Sequence, residues 1–183
     1  MGEAGESEAT LYPIVAQHLN IEFISRLRPK LGTHLPIVNI TATAGPPNSG
    51  IWSRPDLALI NCWRHKYQPH HQLDLYGFEV KRHDACDVRA VHECLSHTRL
   101  VHYAYLVWNF RSEDFSSTAF RTVLETCDSY GLGLITFSDP SKFRTHIEAK
   151  RASPSEAAID EFIETRFCPD QQQRLLKWIS QSR

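Results

Sequence analysis

The sequence predicts an α/β domain, in which a mixed five-stranded central sheet is flanked by helices and further helices lie at the C-terminal end. Three observations lead there. Short apolar or β-branched runs of strand length recur along the chain. Helical spacing of apolar residues fills the gaps between the later runs, and glycine, proline and capping residues punctuate the joints. With 183 residues, 42% of them hydrophobic, the chain can bury one proper core and has little room for a second.

Residues 1–6 read as disordered, and the core domain is expected to run from residue 7 to residue 150. From Ser7, SEATLYPIVAQHL sets Leu11, Ile14, Val15 and Leu19 on one helical face, despite Pro13 near its start. LPIVNITATA (35–44) is a β-branched strand, and GPPNSG after it reads as a mobile loop. RPDLALINCW (54–63) is a second strand, with Asp56, Ala58 and Ile60 on one face and Leu57 and Leu59 on the other. The polar, histidine-rich WRHKYQPHHQ then turns the chain back into a third strand, which ends in GFEVKR (77–82). These three strands are expected to form a meander.

HDACDVRAVHECLSHTRLVH reads as a helix with a stripe of Val88, Val91, Leu95 and Thr98, capped by Asp84 or Asp87. YAYLVWNF (103–110) is nearly all apolar and therefore a central strand. AFRTVLETCDSYG is a helix closed by Gly131, delivering the chain into a fifth strand, LGLITFS (132–138). Strands joined through helices are expected to run parallel. In the tail, Ser153 to Glu156 combines a capping box with Pro154 at the first helical position, and Asp170 to Gln173 repeats the device. Residues 151–183 therefore read as a helical extension packed on the core.

A formal net charge of −1 argues against indiscriminate polyanion binding, while leaving room for a local basic groove. Five scattered cysteines (Cys62, Cys86, Cys94, Cys127 and Cys168) are an odd number without a framework spacing, and are expected to be reduced thiols. MGEAGESEA lacks the layout of a signal peptide, and no apolar run approaches a membrane span. The expectation is a cytoplasmic protein with no membrane partner.

The chemistry is concentrated in GFEVKR. Alternation along a strand sends Leu75, Gly77, Glu79 and Lys81 to one face and Tyr76, Phe78 and Val80 to the other, and both faces are largely apolar. Burying an unpaired carboxylate and ammonium there costs several kcal/mol each, roughly, unless they pair or bind an ion. If this strand pairs antiparallel with the preceding one, Asp56 at the start of one comes beside Glu79 and Lys81 at the end of the other. Two converging carboxylates do not easily both stay ionised without a cation. Oxygen ligands from one or two carboxylates, completed by water, are what Mg²⁺ accepts.

RPDLALIN followed by YGFEVKR resembles the PD-(D/E)xK nuclease superfamily, whose domain is the restriction-endonuclease-like fold. The resemblance covers roughly residues 7 to 140. It assigns Pro55 and Asp56 to the first half of the signature and Glu79, Val80 and Lys81 to the second. It implies that Asp56, Glu79 and the Val80 backbone carbonyl ligate Mg²⁺ (Mn²⁺ as substitute), with Lys81 beside the attacking water. It also implies an acidic residue of the first helix at the metal, Glu8 fitting best and Glu22 next. Where such families often carry a glutamine on the helix after the lysine, this chain has Glu93, a departure from the pattern.

Seven of the ten histidines fall between residues 65 and 102. With Cys62, Cys86 and Cys94 they invite a zinc reading, but no pair has zinc-finger spacing. A nucleic-acid reading instead sets His83, His92 and His97 against phosphate beside Arg82 and Arg89. The function expected is a Mg²⁺-dependent nuclease using metal-activated water on nucleic acid, DNA foremost, with a homodimer or partner protein supplying part of the grip. The alternative is a catalytically inactive nuclease-fold interaction subunit of a DNA-processing or defence assembly.

Overall fold

Six strands, not five, form the sheet in the computed structural model, which describes residues 7–44, 54–68, 70–112 and 114–181. The expected disorder of residues 1–6 and the GPPNSG loop lie outside the described residues. In sequence order the strands are β1 (Gly32–Ile40), β2 (Leu57–His65), β3 (Gln72–Lys81), β4 (Tyr103–Asn109), β5 (Gly133–Phe137) and β6 (Phe143–Ile147). They lie side by side in that same order. As expected, β1, β2 and β3 form an antiparallel meander, and β3, β4 and β5 run parallel. The strand that sequence reasoning missed, β6, returns antiparallel along β5. It is a short, polar edge strand, FRTHI, with Arg144 exposed and the rest partly covered, so it lacks the apolar run that marks the inner strands.

Helices cover both faces, as the apolar character of both sides of β3 requires. On one face, α1 (Tyr12–His18) runs on through a π-helical segment (Leu19–Phe23) into α2 (Ile24–Leu27). Leu11, Val15, Leu19 and Phe23, each four residues from the last, are all buried. Four residues overshoot an α-turn but fall short of the wider π-turn, so the π segment brings the stripe back towards the sheet. It packs on Leu57, Leu59, Tyr76, Phe78, Val80, Tyr105 and Val107. On the other face lie α3 (Val88–Ser96) and α4 (Thr118–Tyr130). Asp87 caps α3 by accepting from Arg89 N and Ala90 N. Gly131, at φ 70°, closes α4 in the left-handed conformation that glycine adopts without strain.

The buried stripe of α3 is Ala90, Val91 and Cys94, continued by His97, rather than the expected Val88, Leu95 and Thr98; Val88 is exposed. The C-terminal helices α5 (Glu156–Arg166) and α6 (Pro169–Ser180) contribute Ile159, Phe162, Ile163, Phe167 and Leu175 to the same core. Their caps differ from the expected ones: Ser155 caps α5, and Cys168 with Gln171 forms the box before α6, with Pro169 in the first turn. Several capping residues stand within a few positions of each other there, and packing selects among them. Asn39 donates to the Arg166 carbonyl at 2.6 Å and Gln171 to the Val38 carbonyl at 3.3 Å, strapping both helices to β1. All five cysteines are free. No helix among the described residues is long and apolar enough to cross a membrane.

Candidate active site

The register of β2 on β3 builds the site. Leu57 pairs with Phe78, so the position before Leu57 stands opposite the position after Phe78, and Asp56 faces Glu79. The approach to Asp56 is fixed by backbone. Thr41 N and Ala42 N donate to the Asp56 carbonyl at 2.8 and 2.9 Å, and the Thr41 hydroxyl donates to the Pro55 carbonyl. Pro55 lies against Gly77, where an added Cβ would stand 3.1 Å from Pro55 Cγ. Glycine at 77 therefore lets the segment carrying Asp56 lie close over β3.

All four carboxylate oxygens have partners. Val80 N donates to Asp56 Oδ2 and the Tyr12 hydroxyl to Asp56 Oδ1, both at 2.8 Å. Lys81 Nζ donates to Glu79 Oε1 at 2.7 Å, and His97 Nε2 lies 2.9 Å from Glu79 Oε2. Lys81 also reaches Glu93 Oε2 at 2.8 Å, so one ammonium bridges two carboxylates. Glu93 and His97, one helical turn apart, are the two α3-side residues that face the centre.

Burial governs the electrostatics. Glu79 is 3% exposed and Lys81 9%. Burial, then repulsion from Glu79, pushes the Asp56 carboxyl up to about 7, against the hydrogen bonds from Val80 and Tyr12. Burial likewise pushes Glu79 up to about 7, with Glu93 and Glu8 adding to it and Lys81 opposing. Burial alone would depress Lys81, but Glu79 and Glu93 outweigh it and hold the ammonium charged. His97 is driven down to about 4, chiefly by burial, and is therefore neutral near pH 7. A neutral ring facing a carboxylate donates from Nε2, which leaves Nδ1 as the buried atom without a partner.

The sequence-derived candidates divide clearly. Asp56, Glu79 and Lys81 come together. Val80 joins them through its N–H, while its side chain enters the core under α1. Glu8 lines a cavity of about 360 Å³ with Ser7, Tyr12 and Arg82, and its charge acts on Glu79 and Tyr12. The side chain from this helical region that touches Asp56 is Tyr12, which sequence reasoning missed; its only signal was its place one turn after Glu8. Glu22 is exposed and pairs with His18. Arg82 is held by Asp84 beside the Glu8 cavity.

His97 corrects the reading of it as a phosphate contact: it is 1% exposed and bound to Glu79. Its place in the Val91–Cys94 stripe was the available clue. Arg89 and His92 line a separate cavity on the outer side of α3, and His83 is exposed. Among the described residues, no three His, Cys, Asp or Glu side chains are arranged to hold a metal ion. The donor set nevertheless fits a hard cation bound by two carboxylates and water: two desolvated, mutually repelling carboxyls at adjoining strand ends gain most from a nearby positive charge.

No protein-family model and no curated protein matches the chain. Among solved structures it is similar to the SPO1766 protein of unknown function from Silicibacter pomeroyi, with 14% identity, coverage of 94% of this chain and 91% of that chain, and a TM-score of 0.48.

Proposed function

We propose that the chain is a divalent-metal-dependent nuclease of the PD-(D/E)xK kind, with a restriction-endonuclease-like fold, hydrolysing phosphodiester bonds of nucleic acid. DNA is the expected substrate. The observation that supports this most is the juxtaposition of Asp56 with Glu79 where β2 begins and β3 ends, with Lys81 clamped between Glu79 and Glu93. Asp56 and Glu79 are the residues that would hold Mg²⁺ or Mn²⁺, with the Glu8 charge acting on Glu79 from the cavity it lines with Tyr12 and Arg82. Bound there, such a cation supplies an activated water and offsets charge on the phosphodiester.

The chain's own side chains do the rest. Tyr12 and the Val80 N–H fix the Asp56 carboxylate, and His97 fixes that of Glu79. Lys81 keeps a permanent positive charge where charge builds up on the phosphate. The test is cleavage of single- and double-stranded DNA and RNA with Mg²⁺ or Mn²⁺, alongside calorimetric titration of Mn²⁺ into the parent and Asp56→Asn. Metal binding and cleavage that both vanish in Asp56→Asn support the reading.

A second reading has an observation of its own. Because every oxygen of Asp56 and Glu79 already has a protein donor, the network also suits a nuclease-fold interaction subunit that needs no cation. A parent that takes up no Mn²⁺ and cleaves nothing selects that reading.

A further inference from the structure

The end of the sheet that carries Asp56, Glu79 and Lys81 continues across the ends of β4 and β5 to the start of β6. There it opens a second cavity of about 220 Å³, walled by Phe110, Phe115 and Phe143, with Lys142 and Arg144 at its rim and Thr136 beneath. One cross-strand row, buried at Trp108 and Thr136, sets the distance between the two places. Lys81 pairs with Trp108, Trp108 with Thr136, and Thr136 with Arg144. Three strand spacings separate Lys81 from Arg144, about 14 Å. About four stacked nucleotides cover that distance, and fewer cover it when extended.

The pocket has the chemistry of a nucleotide. Its volume falls below the range of sites for whole cofactors or drug-sized ligands, which begins near 300 Å³, and suits one planar ring. Its aromatic walls are held in place: Phe143 is stacked against both His18 at 3.9 Å and Phe137 at 4.7 Å and so turns its ring edge to the pocket, while Phe115 meets Phe120 edge-to-face at 5.0 Å. Fixed walls cost little ordering when a ring settles between them. The Arg144 guanidinium lies 5.0 Å from the Phe115 ring centroid. Lys142 is exposed and 3.3 Å from Asp139, a weak surface pair that a phosphate can displace. No acidic side chain lines the pocket among the described residues.

We propose that this pocket receives one unpaired base of the substrate, with Lys142 and Arg144 on the flanking phosphates, so that the nucleic acid is single-stranded close to the cut. The proposal rests on the nuclease reading and deepens it by naming the substrate class. A pocket walled by side-chain rings admits a base released from its duplex and not one held inside it.

The experiment measures binding of a fluorescein-labelled thymidine 12-mer, and of the same strand in a duplex, by anisotropy without divalent metal. Cleavage with Mn²⁺ is followed in parallel. The parent is expected to bind the single strand at least tenfold more tightly than the duplex. The double variant Lys142→Glu/Arg144→Glu, changed only at exposed positions, is expected to lose about tenfold or more in single-strand affinity. Its log–log salt slope becomes shallower by about 0.7 for each phosphate that is no longer neutralised. Phe115→Leu is expected to weaken binding about tenfold without altering that slope. A parent that cleaves while the double variant binds like it overturns this inference and leaves the nuclease reading standing. Equal affinity for duplex and single strand overturns it too. Strand binding through these residues, with no cleavage under any divalent metal, keeps the pocket and sinks the nuclease reading; a parent that binds neither strand nor duplex sinks both.

Discussion

Tyr12 and Asp56 are 44 positions apart in the chain, yet the Tyr12 hydroxyl donates to Asp56 Oδ1 at 2.8 Å. The bond ties the helix packed on one face of the sheet to a carboxylate whose neighbour Glu79 belongs to the other face. The orientation of Asp56 therefore depends on the docking of the N-terminal helix as well as on strand register.

Tyr12→Phe tests this tie. Removing the donor is expected to cost about 0.5–1.5 kcal/mol of stability. It should also move Asp56 to a still higher pKa, because the hydrogen bond from Tyr12 lowers it. A ¹³C NMR titration of the Asp56 carboxyl in parent and variant reads the shift directly. An unmoved titration would mean that the bond does not form in solution.

Lys81→Met asks what the bridging ammonium contributes. Without it, Glu79 and Glu93 face each other with no cation between them. Breaking a buried pair from one side costs roughly 3–5 kcal/mol, less where a carboxyl can take up a proton. The metal-free variant is expected to melt well below the parent and to recover part of the loss in Mn²⁺. Cleavage is expected to be lost while Mn²⁺ affinity survives, since an ammonium does not ligate a cation. Loss of Mn²⁺ binding together with cleavage would assign Lys81 an architectural role only.

The raised carboxyls make a signed pH prediction. Asp56 moves from its ordinary 3.8 to about 7 in the fold. Between those values the folded state binds more protons than the unfolded one, so the parent loses stability as pH rises through the window. His97, lowered from 6.5 to about 4, acts in the opposite sense below pH 6.5. Glu79, also raised to about 7, adds to the loss over the same window. The difference between parent and Asp56→Asn isolates what depends on the Asp56 charge, its upward push on His97 included. Asp56→Asn is expected to match the parent near pH 4 and to exceed it by roughly 1–3 kcal/mol near pH 8, in metal-free urea unfolding. A flat difference across that range would show that Asp56 is ionised normally.

Gly77→Ala probes the close approach of Pro55. The added methyl meets Pro55 Cγ at 3.1 Å and Val101 Cγ2 at 3.2 Å, so the segment bearing Asp56 must shift. The expected result is a stability loss of about 1–3 kcal/mol, with Mn²⁺ affinity falling too. Thermal melts and calorimetry on the one variant separate the two effects.

Much of this centre was legible because strand chemistry is strictly periodic. Asp56, Glu79 and Lys81 could be placed together from alternation and one antiparallel turn. The helical contributors were harder to read. Tyrosine and histidine are found both inside proteins and at their surfaces, and nothing in the sequence separates a tyrosine that packs from one that also donates to a buried carboxylate. His97 was misread because histidine suggests a surface, whereas its spacing from Val91 and Cys94 already set it inside. β6 escaped because an edge strand needs little hydrophobicity: half of its backbone bonding and one flank have no partner strand to satisfy. The caps of α5 and α6 each stand two residues from the expected ones: Ser153 and Ser155 are equally able to serve before α5, while α6 starts at Pro169 behind Cys168, ahead of Asp170.

The straps from α5 and α6 to β1 have a consequence for solubility. β1 is a nine-residue outer strand, long enough to recruit a strand from another molecule if left bare. Gln171 occupies the Val38 carbonyl, and Asn39 is engaged with Arg166. The C-terminal pair thus acts as a guard rail against edge-to-edge polymerisation. Gln171→Ala, or loosening of α6, is expected to raise self-association of the folded chain, read by light scattering below its melting temperature.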